Sequence, residues 1–323
     1  MPPFECPRRV EIVRARLAER GFDAPEDPGP ADAAAVEALC DPGYLAFLRT
    51  AFADWRAEGF EGDVIAASFP ARRMRTDRPP RNVDGRAGYY ALACETAITA
   101  GTWDAALGSA ACAQAAAAHV AAGAPSAFAL CRPPGHHATA DMYGGYCFLN
   151  NAALAAERLR AGGAARVAVL DVDFHHGNGT QDVFRARGDV LFASIHGDPL
   201  DAFPYFTGFA DERGEGAGED ATVNYPLPPG TPYGPWSEAL DAALGRIAAF
   251  GAEALVVSLG VDAFREDPIS FFRLASEDFL DMGARIGRAG LPTVLCLEGG
   301  YAVEAVGVNV VNVLEGVAGA SRR

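Results

Sequence analysis

Apolar residues follow two different periodicities along the chain. In the N-terminal part they recur at helical spacing, which predicts helices at 7–21, around 33–39 and at 43–55. Further along, short apolar runs rich in valine and leucine are bounded by glycine, proline or polar residues, as expected of strands buried on both faces. These runs predict five strands, at 127–131, 166–170, 190–195, 254–259 and 293–297.

The segments before, between and after these strands have helical patterns, at 102–123, 151–161, 236–250, 277–289 and 308–316. Strands that alternate with helices indicate an α/β fold with a mostly parallel sheet. No linker or internal repeat divides the chain. We therefore predict one domain over residues 1–323, a length at which α/β folds still form a single unit.

Two stretches lack any periodicity and are predicted as long exposed loops. Residues 197–235 are rich in glycine and proline, and residues 68–88 include six arginines between positions 72 and 86. Such an arginine-rich loop suggests either a polyanion or a protein partner. It has no interleaved aromatic residues of the kind that stack on nucleotide bases, which favours a protein interface.

Composition narrows the class of protein. Half of the residues are apolar and 21% are charged, which suits a large core and excludes a disordered chain. A net charge of −15 argues against a nucleic-acid surface. No apolar run approaches the roughly 18 residues of a membrane span, and the N-terminus does not resemble a signal peptide. We expect a soluble, cytoplasmic protein without nucleic-acid or membrane partners.

Cysteine and lysine usage excludes further chemistry. The seven cysteines are scattered, odd in number and free of C-x-x-C pairs, which is typical of reduced thiols rather than disulfides or a cysteine-based metal site. The chain has no lysine, so all 27 basic residues are arginine. Schiff-base chemistry and lysine-dependent phosphate-binding loops are therefore excluded.

Polar residues with metal-binding character follow two of the predicted strands. Asp173 and His175 are two residues apart, so in extended backbone both side chains point to the same side. A carboxylate and an imidazole in this position suit zinc, and Asp262, after another strand, suggests itself as the third ligand. The alternative interpretation of Asp173 and His175 is that they belong to a helix N-cap and that the histidines there bind no metal.

Further candidates follow two other strands. Pro133, Pro134 and Gly135 predict a rigid turn that presents the adjacent imidazoles of His136 and His137. These histidines could accept a proton from a metal-activated water and return it to a leaving amine. Tyr301, after two glycines, could donate its hydroxyl to a developing oxyanion.

Four motifs then resemble the arginase/histone deacetylase superfamily: Arg132-Pro133-Pro134-Gly135-His136-His137, Asp171-Val172-Asp173-Phe174-His175-His176-Gly177-Asn178-Gly179, Gly260-Val261-Asp262 and Glu298-Gly299-Gly300-Tyr301. Segments 84–90, 97–103 and 267–272 are most similar to the bacterial acetylpolyamine amidohydrolase branch. The resemblance extends from about residue 40 to the end and implies a three-layer αβα fold. It also implies a zinc-dependent hydrolase that removes acetyl groups from polyamines or similar small cationic amines.

The resemblance implies roles for the strand-end residues. It makes Asp173, His175 and Asp262 the zinc ligands, His136 and His137 the acid–base pair, and Tyr301 the carbonyl-assisting group. Asp171 would orient His136, and Asn178 would orient His137. A structural K⁺ or Na⁺ would lie near Asp171 and Ser194, whose alternative roles are those of a strand-end carboxylate and a buried hydroxyl.

Substrate-binding residues also come from the resemblance. Tyr146, Phe174 and Phe203 would wall a narrow channel, and Asp84 and Glu95 would meet a distal ammonium at its mouth. The alternatives are a core position for Phe203, a helix-terminal carboxylate for Glu95 and a turn residue for Asp84. Relatives form homodimers in which the loop at 68–90 shapes the neighbouring site, so a homodimer is expected.

One departure concerns the N-terminus. The family has an additional N-terminal segment with the first strand of the sheet, whereas this sequence begins immediately after the corresponding position. Either the start is displaced or the first strand is lacking. Two other functions are considered: deacetylation of acetyl-lysine peptides or other acyl amides, and a non-catalytic metal- or ligand-binding role.

Overall fold

A computed structural model describes residues 4–321. Within this range one six-stranded sheet has the order β1-β6-β5-β2-β3-β4, and every pair of neighbours is parallel. The strands are β1 (Ser126–Ala129), β2 (Val167–Asp171), β3 (Val190–Gly197), β4 (Thr222–Leu227), β5 (Ala254–Leu259) and β6 (Thr293–Leu297).

The helices account for the other periodic segments. They are α1 (Arg8–Glu19), α2 (Ala33–Leu39), α3 (Pro42–Ala57), α4 (Val83–Tyr89), α5 (Thr102–Ala121), α6 (Asn151–Ala161), α7 (Asn178–Phe184), α8 (Tyr233–Phe250), α9 (Asp278–Arg288) and α10 (Val303–Ser321). The predicted single α/β domain is confirmed, and the sheet is entirely parallel rather than mostly so.

The strand order explains the three layers. The chain moves in one direction along the sheet through α6 and α7 and in the opposite direction through α8 and α9. Because crossovers between parallel strands are right-handed, the two directions place their helices on opposite faces. In agreement, α5 packs against α6, whereas α10 packs against α9. The predicted αβα arrangement follows.

Both faces of the sheet are covered. Every residue of β2, β3, β5 and β6 is buried, which is why these strands appear in the sequence as continuous apolar runs. Helix α10 is long and apolar enough to pass a composition test for a membrane span over Val303–Ala320. Half of that window is buried inside the protein, as in the core helix of a globular domain.

The structure corrects both predicted loops. Segment 197–235 contains β4, which pairs with β3 at the edge of the sheet. Asn224 and Pro226 interrupt its apolar pattern, and proline is tolerated there because an edge strand has one unpaired side. Segment 68–88 is irregular only up to position 82, and α4 begins at Val83. Helix α7, which contains Gly179, was also not predicted.

The possible absence of a first strand concerns the edge of the sheet that β1 forms. Within residues 4–321, β1 pairs only with β6. A groove of about 580 Å³ lies beside β1 and is lined in part by Phe22, Phe128 and Val317. Whether a further strand pairs with this edge of the sheet stays a prediction.

Candidate metal-dependent active site

Four neighbouring strands bring the candidate residues together. β1, β6, β5 and β2 are adjacent in the sheet, and the segments that follow them carry His136 and His137, Tyr301, Asp262, and Asp173 and His175, respectively. The carboxyl edge of an open parallel sheet is where ligands bind, close to the point at which the strand order reverses. The candidate site lies at this edge.

The three predicted metal ligands form a buried cluster. Nδ1 of His175 lies 2.9 Å from Oδ2 of Asp262 and 3.2 Å from Oδ1 of Asp173. One ligand atom from each of the three residues lies within 4.8 Å of the others. The remaining carboxylate oxygens accept backbone N–H groups, Asp262 from Phe174 at 2.7 Å and Asp173 from Gly299 at 2.8 Å. These contacts fix both carboxylates.

The chemistry of this cluster fits a divalent cation. Burial, followed by repulsion from Asp173, raises the pKa of Asp262 to about 8, so a bound cation would relieve an unfavourable concentration of negative charge. Two oxygens and one nitrogen make up the three protein ligands of a catalytic site that leaves positions open for water and substrate. At Gly299 a side chain would approach both carboxylates within 2.6 Å, so only glycine leaves this space free.

Each of the tandem histidines has its own partner. Nδ1 of His136 lies 3.0 Å from Oδ2 of Asp171, and Nδ1 of His137 lies 2.7 Å from Oδ1 of Asn178. Both imidazoles are buried, with 3% of each residue exposed. Because the amide oxygen of Asn178 can only accept, the Nδ1–H tautomer of His137 is selected and its Nε2 keeps a lone pair.

The two imidazoles have opposite electrostatic environments. Burial would lower the pKa of His136, but the carboxylates of Asp173 and Asp171 outweigh it and raise this pKa to about 10. Burial, followed by the charges of His136 and His175, lowers the pKa of His137 well below its usual range. These surroundings favour the protonated form of His136 and the neutral form of His137.

Tyr301 is held by a residue that the sequence did not indicate. It is buried, and the guanidinium of Arg9 lies 4.8 Å from its ring centroid. Nε of Arg9 donates to the carbonyl oxygen of Gly300 at 2.7 Å, across 291 positions of sequence. Arg9 is fully buried in α1, and no local pattern distinguishes it from the exposed arginines of the same helix.

A cavity of about 270 Å³ leads to His137, His175 and Tyr301. Four of the predicted substrate-binding residues line it: Glu95, Tyr146, Phe174 and Phe203. Phe203 is half-buried and meets the ring of His137 edge-on at 5.1 Å, so it is a wall residue rather than core. The lining residues that sequence analysis missed are Gly145, Asp201, Ala202, Tyr205, Ile269 and Phe271.

The acidic candidates are placed differently. Glu95 lines the cavity as an exposed side chain, and its Oε1 accepts the backbone N–H of Gly145 at 2.9 Å. Asp201 provides a second exposed carboxylate there. Asp84 is not among the cavity residues; it lies in the first turn of α4, where its carboxylate accepts the N–H of Gly85.

The predicted alkali-ion pair occupies neighbouring strands. Asp171 and Ser194 are register partners on β2 and β3, and both are fully buried. The hydroxyl of Ser194 lies 2.8 Å from Nδ1 of His196. The two side chains are thus brought together, and the ion itself stays a prediction.

Comparisons with known proteins agree with this geometry. The histone deacetylase domain family matches residues 3–317, so the chain belongs to that family. An acetylpolyamine amidohydrolase from Mycoplana ramosa is 57% identical, with 99% of this chain and 93% of the relative covered. Acetylpolyamine amidohydrolase 1 from Pseudomonas aeruginosa is 56% identical at the same coverage.

A solved structure supports the fold assignment. The crystal structure of an acetylpolyamine aminohydrolase from Burkholderia pseudomallei superposes with a TM-score of 0.92 at 42% identity and covers 98% of this chain and 92% of that one. The family and fold inferred from the motifs are therefore confirmed.

Proposed function

We propose that the protein is a metal-dependent amidohydrolase that removes the acetyl group from acetylated polyamines or similar small amines. The observation that carries this proposal is the cavity, which joins an aromatic passage to the buried Asp173–His175–Asp262 cluster and has the carboxylates of Glu95 and Asp201 in its lining. Relatives named acetylpolyamine amidohydrolase, similar over nearly the whole chain, support the same activity.

Zinc is the metal we propose, held by Asp173, His175 and Asp262. When bound, it would acidify a water molecule and polarise the amide carbonyl. A site with two carboxylates and one imidazole is also compatible with ferrous iron or cobalt.

The protein residues divide the proton transfers. His137, neutral and with its Nε2 lone pair free, accepts the proton of the attacking water and later returns it to the leaving amine nitrogen. His136 stays protonated against Asp171 and stabilises the negative charge that develops on the substrate. Tyr301, whose pKa is raised well above its usual range by burial, keeps its proton and donates a hydrogen bond to the oxyanion.

Substrate selection follows from the lining. Tyr146, Phe174 and Phe203 suit a slender alkyl chain, which has no polar groups to satisfy. Glu95 and Asp201 are available to meet a second ammonium group, since a polyamine carries positive charge away from the acetylated nitrogen. An acetyl-lysine peptide has the same reacting amide but a main chain in place of that ammonium, and it is the alternative substrate.

We also propose a homodimer, a bound K⁺ or Na⁺ near Asp171 and Ser194, and a cytoplasmic location. Segment 68–90 supports the dimer, because Phe69 and Met74 are 38% and 64% exposed and an interface would cover them. In such a dimer Asp84 would face the neighbouring cavity rather than its own.

Acetate release tests the proposal. The zinc-loaded protein and its chelated form are assayed with acetylputrescine, acetylcadaverine, acetylspermine and an acetyl-lysine peptide. Metal-dependent turnover of the small amines, with the peptide slow, is the expected result. Turnover of the peptide alone would retain the hydrolase chemistry and exclude polyamines as the substrate, and inactivity of folded, zinc-bound protein on all four would contradict the enzymatic function.

A further inference from the structure

A buried carboxylate that the reaction does not use lies beneath the tandem histidines. Glu298 is the first residue after β6, and none of it is exposed. Its Oε2 accepts the backbone N–H groups of Gly135 at 2.6 Å and of His136 at 3.1 Å. Its Oε1 accepts the hydroxyl of Ser258, on β5, at 3.2 Å.

These bonds satisfy backbone groups that have no strand partner. The turn at 132–137 leaves the sheet after β1, so its amides are outside the strand ladder. A buried N–H without an acceptor is costly, and Glu298 supplies the acceptor for two consecutive ones from a position 163 residues away from Gly135. Ser109 and Asn151 bond the carbonyl oxygen of Pro133 in the same turn, and Glu298 is the side chain that accepts its two consecutive N–H groups.

Glu298 is linked to two groups of residues that act in the proposed reaction. The turn that it holds carries His136 and His137, and Tyr301 lies three residues beyond Glu298 on the following segment. Displacement of the turn would move the proton-transferring imidazoles relative to the metal ligands on β2 and β5. A shift of this kind of about 1 Å can cost roughly 100-fold in rate.

A metal-binding role for Glu298 is the competing explanation. A ligand atom from each of His136, Cys147 and Glu298 lies within 4.8 Å of the others, and all three residues are buried. However, the carboxylate already accepts three hydrogen bonds, and Nδ1 of His136 is engaged by Asp171. Because these hydrogen bonds already engage its carboxylate, we interpret Glu298 as a hydrogen-bond acceptor rather than as a metal ligand.

We propose that Glu298 is a positioning residue: it sets the catalytic placement of His136 and His137 by accepting the amides of the turn, and it acts through hydrogen-bond geometry rather than charge. This proposal rests on the hydrolase function proposed above. A neutral amide can reproduce the arrangement, because a glutamine oxygen would accept both N–H groups while its NH₂ donates to the hydroxyl of Ser258.

Three substitutions separate geometry from charge. Glu298→Gln keeps the reach and loses the charge, Glu298→Met keeps the approximate size and loses the acceptor, and Glu298→Asp keeps the charge and loses one methylene of reach. We expect kcat to stay close to wild type in the Gln variant and to fall by about 100-fold in the Met variant, with KM little changed. The Asp variant should fall below the Gln variant.

Hydrogen exchange gives a readout that does not depend on turnover. The amides of Gly135 and His136 should be protected in the zinc-loaded wild type and in the Gln variant, and should exchange faster in the Asp and Met variants. Zinc content should remain one per chain in all of them, since no metal ligand is changed. If the Met variant does not fold, the comparison of the Gln and Asp variants still tests the positioning role.

The outcomes distinguish the two proposals. An inactive wild type with protected Gly135 and His136 amides would contradict the enzymatic function and leave the structural part of the inference supported. An active wild type with an Asp variant faster than the Gln variant would show that charge matters more than reach and would overturn the positioning role. Full activity of the Met variant would overturn it as well.

Discussion

The amide oxygen of Asn178 lies 2.7 Å from Nδ1 of His137, whereas the neighbouring His136 has the carboxylate of Asp171 at the corresponding nitrogen. A neutral partner on one imidazole and a charged partner on the other separate their protonation states. Burial, followed by the charges of His136 and His175, lowers the pKa of His137 well below its usual range, which favours the neutral imidazole needed for the proposed base.

Replacement of Asn178 by aspartate should move the acidic limb of the pH profile. A carboxylate at this position favours the protonated imidazole, so the pKa of His137 rises and a higher pH is needed to free the base. The acidic limb of kcat/KM should therefore shift to higher pH, as measured across a pH series on the best substrate. Asn178→Ala, which loses the hydrogen bond without adding charge, is the control, and an identical limb in wild type and Asn178→Asp would contradict this assignment of the base.

Gly145 leaves room for the base. It has φ +54°, and a side chain there would overlap the imidazole carbon Cδ2 of His137. Gly145→Ala should reduce kcat strongly because the imidazole must move. Gly216→Ala is the matched control, since Gly216 has φ +57° with nothing within 4 Å, and both variants bear a similar backbone penalty of about 1–2 kcal/mol. Equal activity of the two variants would exclude a steric role for Gly145.

The carboxylates of the cavity should affect substrate affinity rather than the chemical step. Glu95→Gln and Asp201→Asn should each raise KM for an acetylated diamine by up to about fivefold, a small effect because both groups are exposed to solvent. KM for a neutral acetyl-lysine peptide should not change. Glu37→Gln, an exposed position of α2 outside the cavity, is the control. Equal changes for both substrates would contradict ammonium recognition.

Metal removal should lower stability as well as activity. Asp173, His175 and Asp262 are buried together, and a cation that compensates their charge would bind only the folded state. Zinc at about 1,000 times its Kd should add roughly 4 kcal/mol to the free energy of unfolding. Thermal unfolding with and without chelator measures this effect. Asp262→Asn should show a much smaller zinc-dependent shift, and a full shift in that variant would place the metal elsewhere.

A salt bridge far from the site predicts an acid-dependent loss of stability. Arg187 pairs with Asp189 through two bonds of 2.7 and 2.8 Å and lowers the pKa of Asp189 to about 2. A depressed carboxylate pKa stabilises the fold fully above the unfolded value of about 3.9, and the contribution disappears as pH falls toward 2.

Denaturant unfolding of wild type and Asp189→Asn, measured across this pH range, tests the prediction. The difference in unfolding free energy should be constant above about pH 4 and should decrease below it. In an Arg187→Met background the effect of Asp189→Asn should be smaller but not abolished, because Nε of Arg160 still donates to Oδ2 of Asp189 at 2.9 Å. A difference that increases as pH falls would contradict the direction of the pKa shift.

The sequence predicted the parts of the fold that depend on local pattern. Five strands, four of them buried throughout, and the helices between them have periodicities that the chain displays directly. β4 escaped because an edge strand tolerates Pro226, and α4 escaped because the arginine-rich stretch hides its short apolar pattern. In both segments the polar residues and proline conceal the local apolar pattern.

The residues of the candidate site also divide into those that the sequence predicted and those that only the tertiary structure placed. Asp173, His175 and Asp262 could be placed in one cluster from sequence, because polar residues after parallel strands meet at one edge of the sheet. The positions of Arg9, Asp201 and Glu298 were decided by the tertiary structure. Their contacts join segments up to 291 residues apart, and no periodicity records which buried backbone group a distant side chain will satisfy.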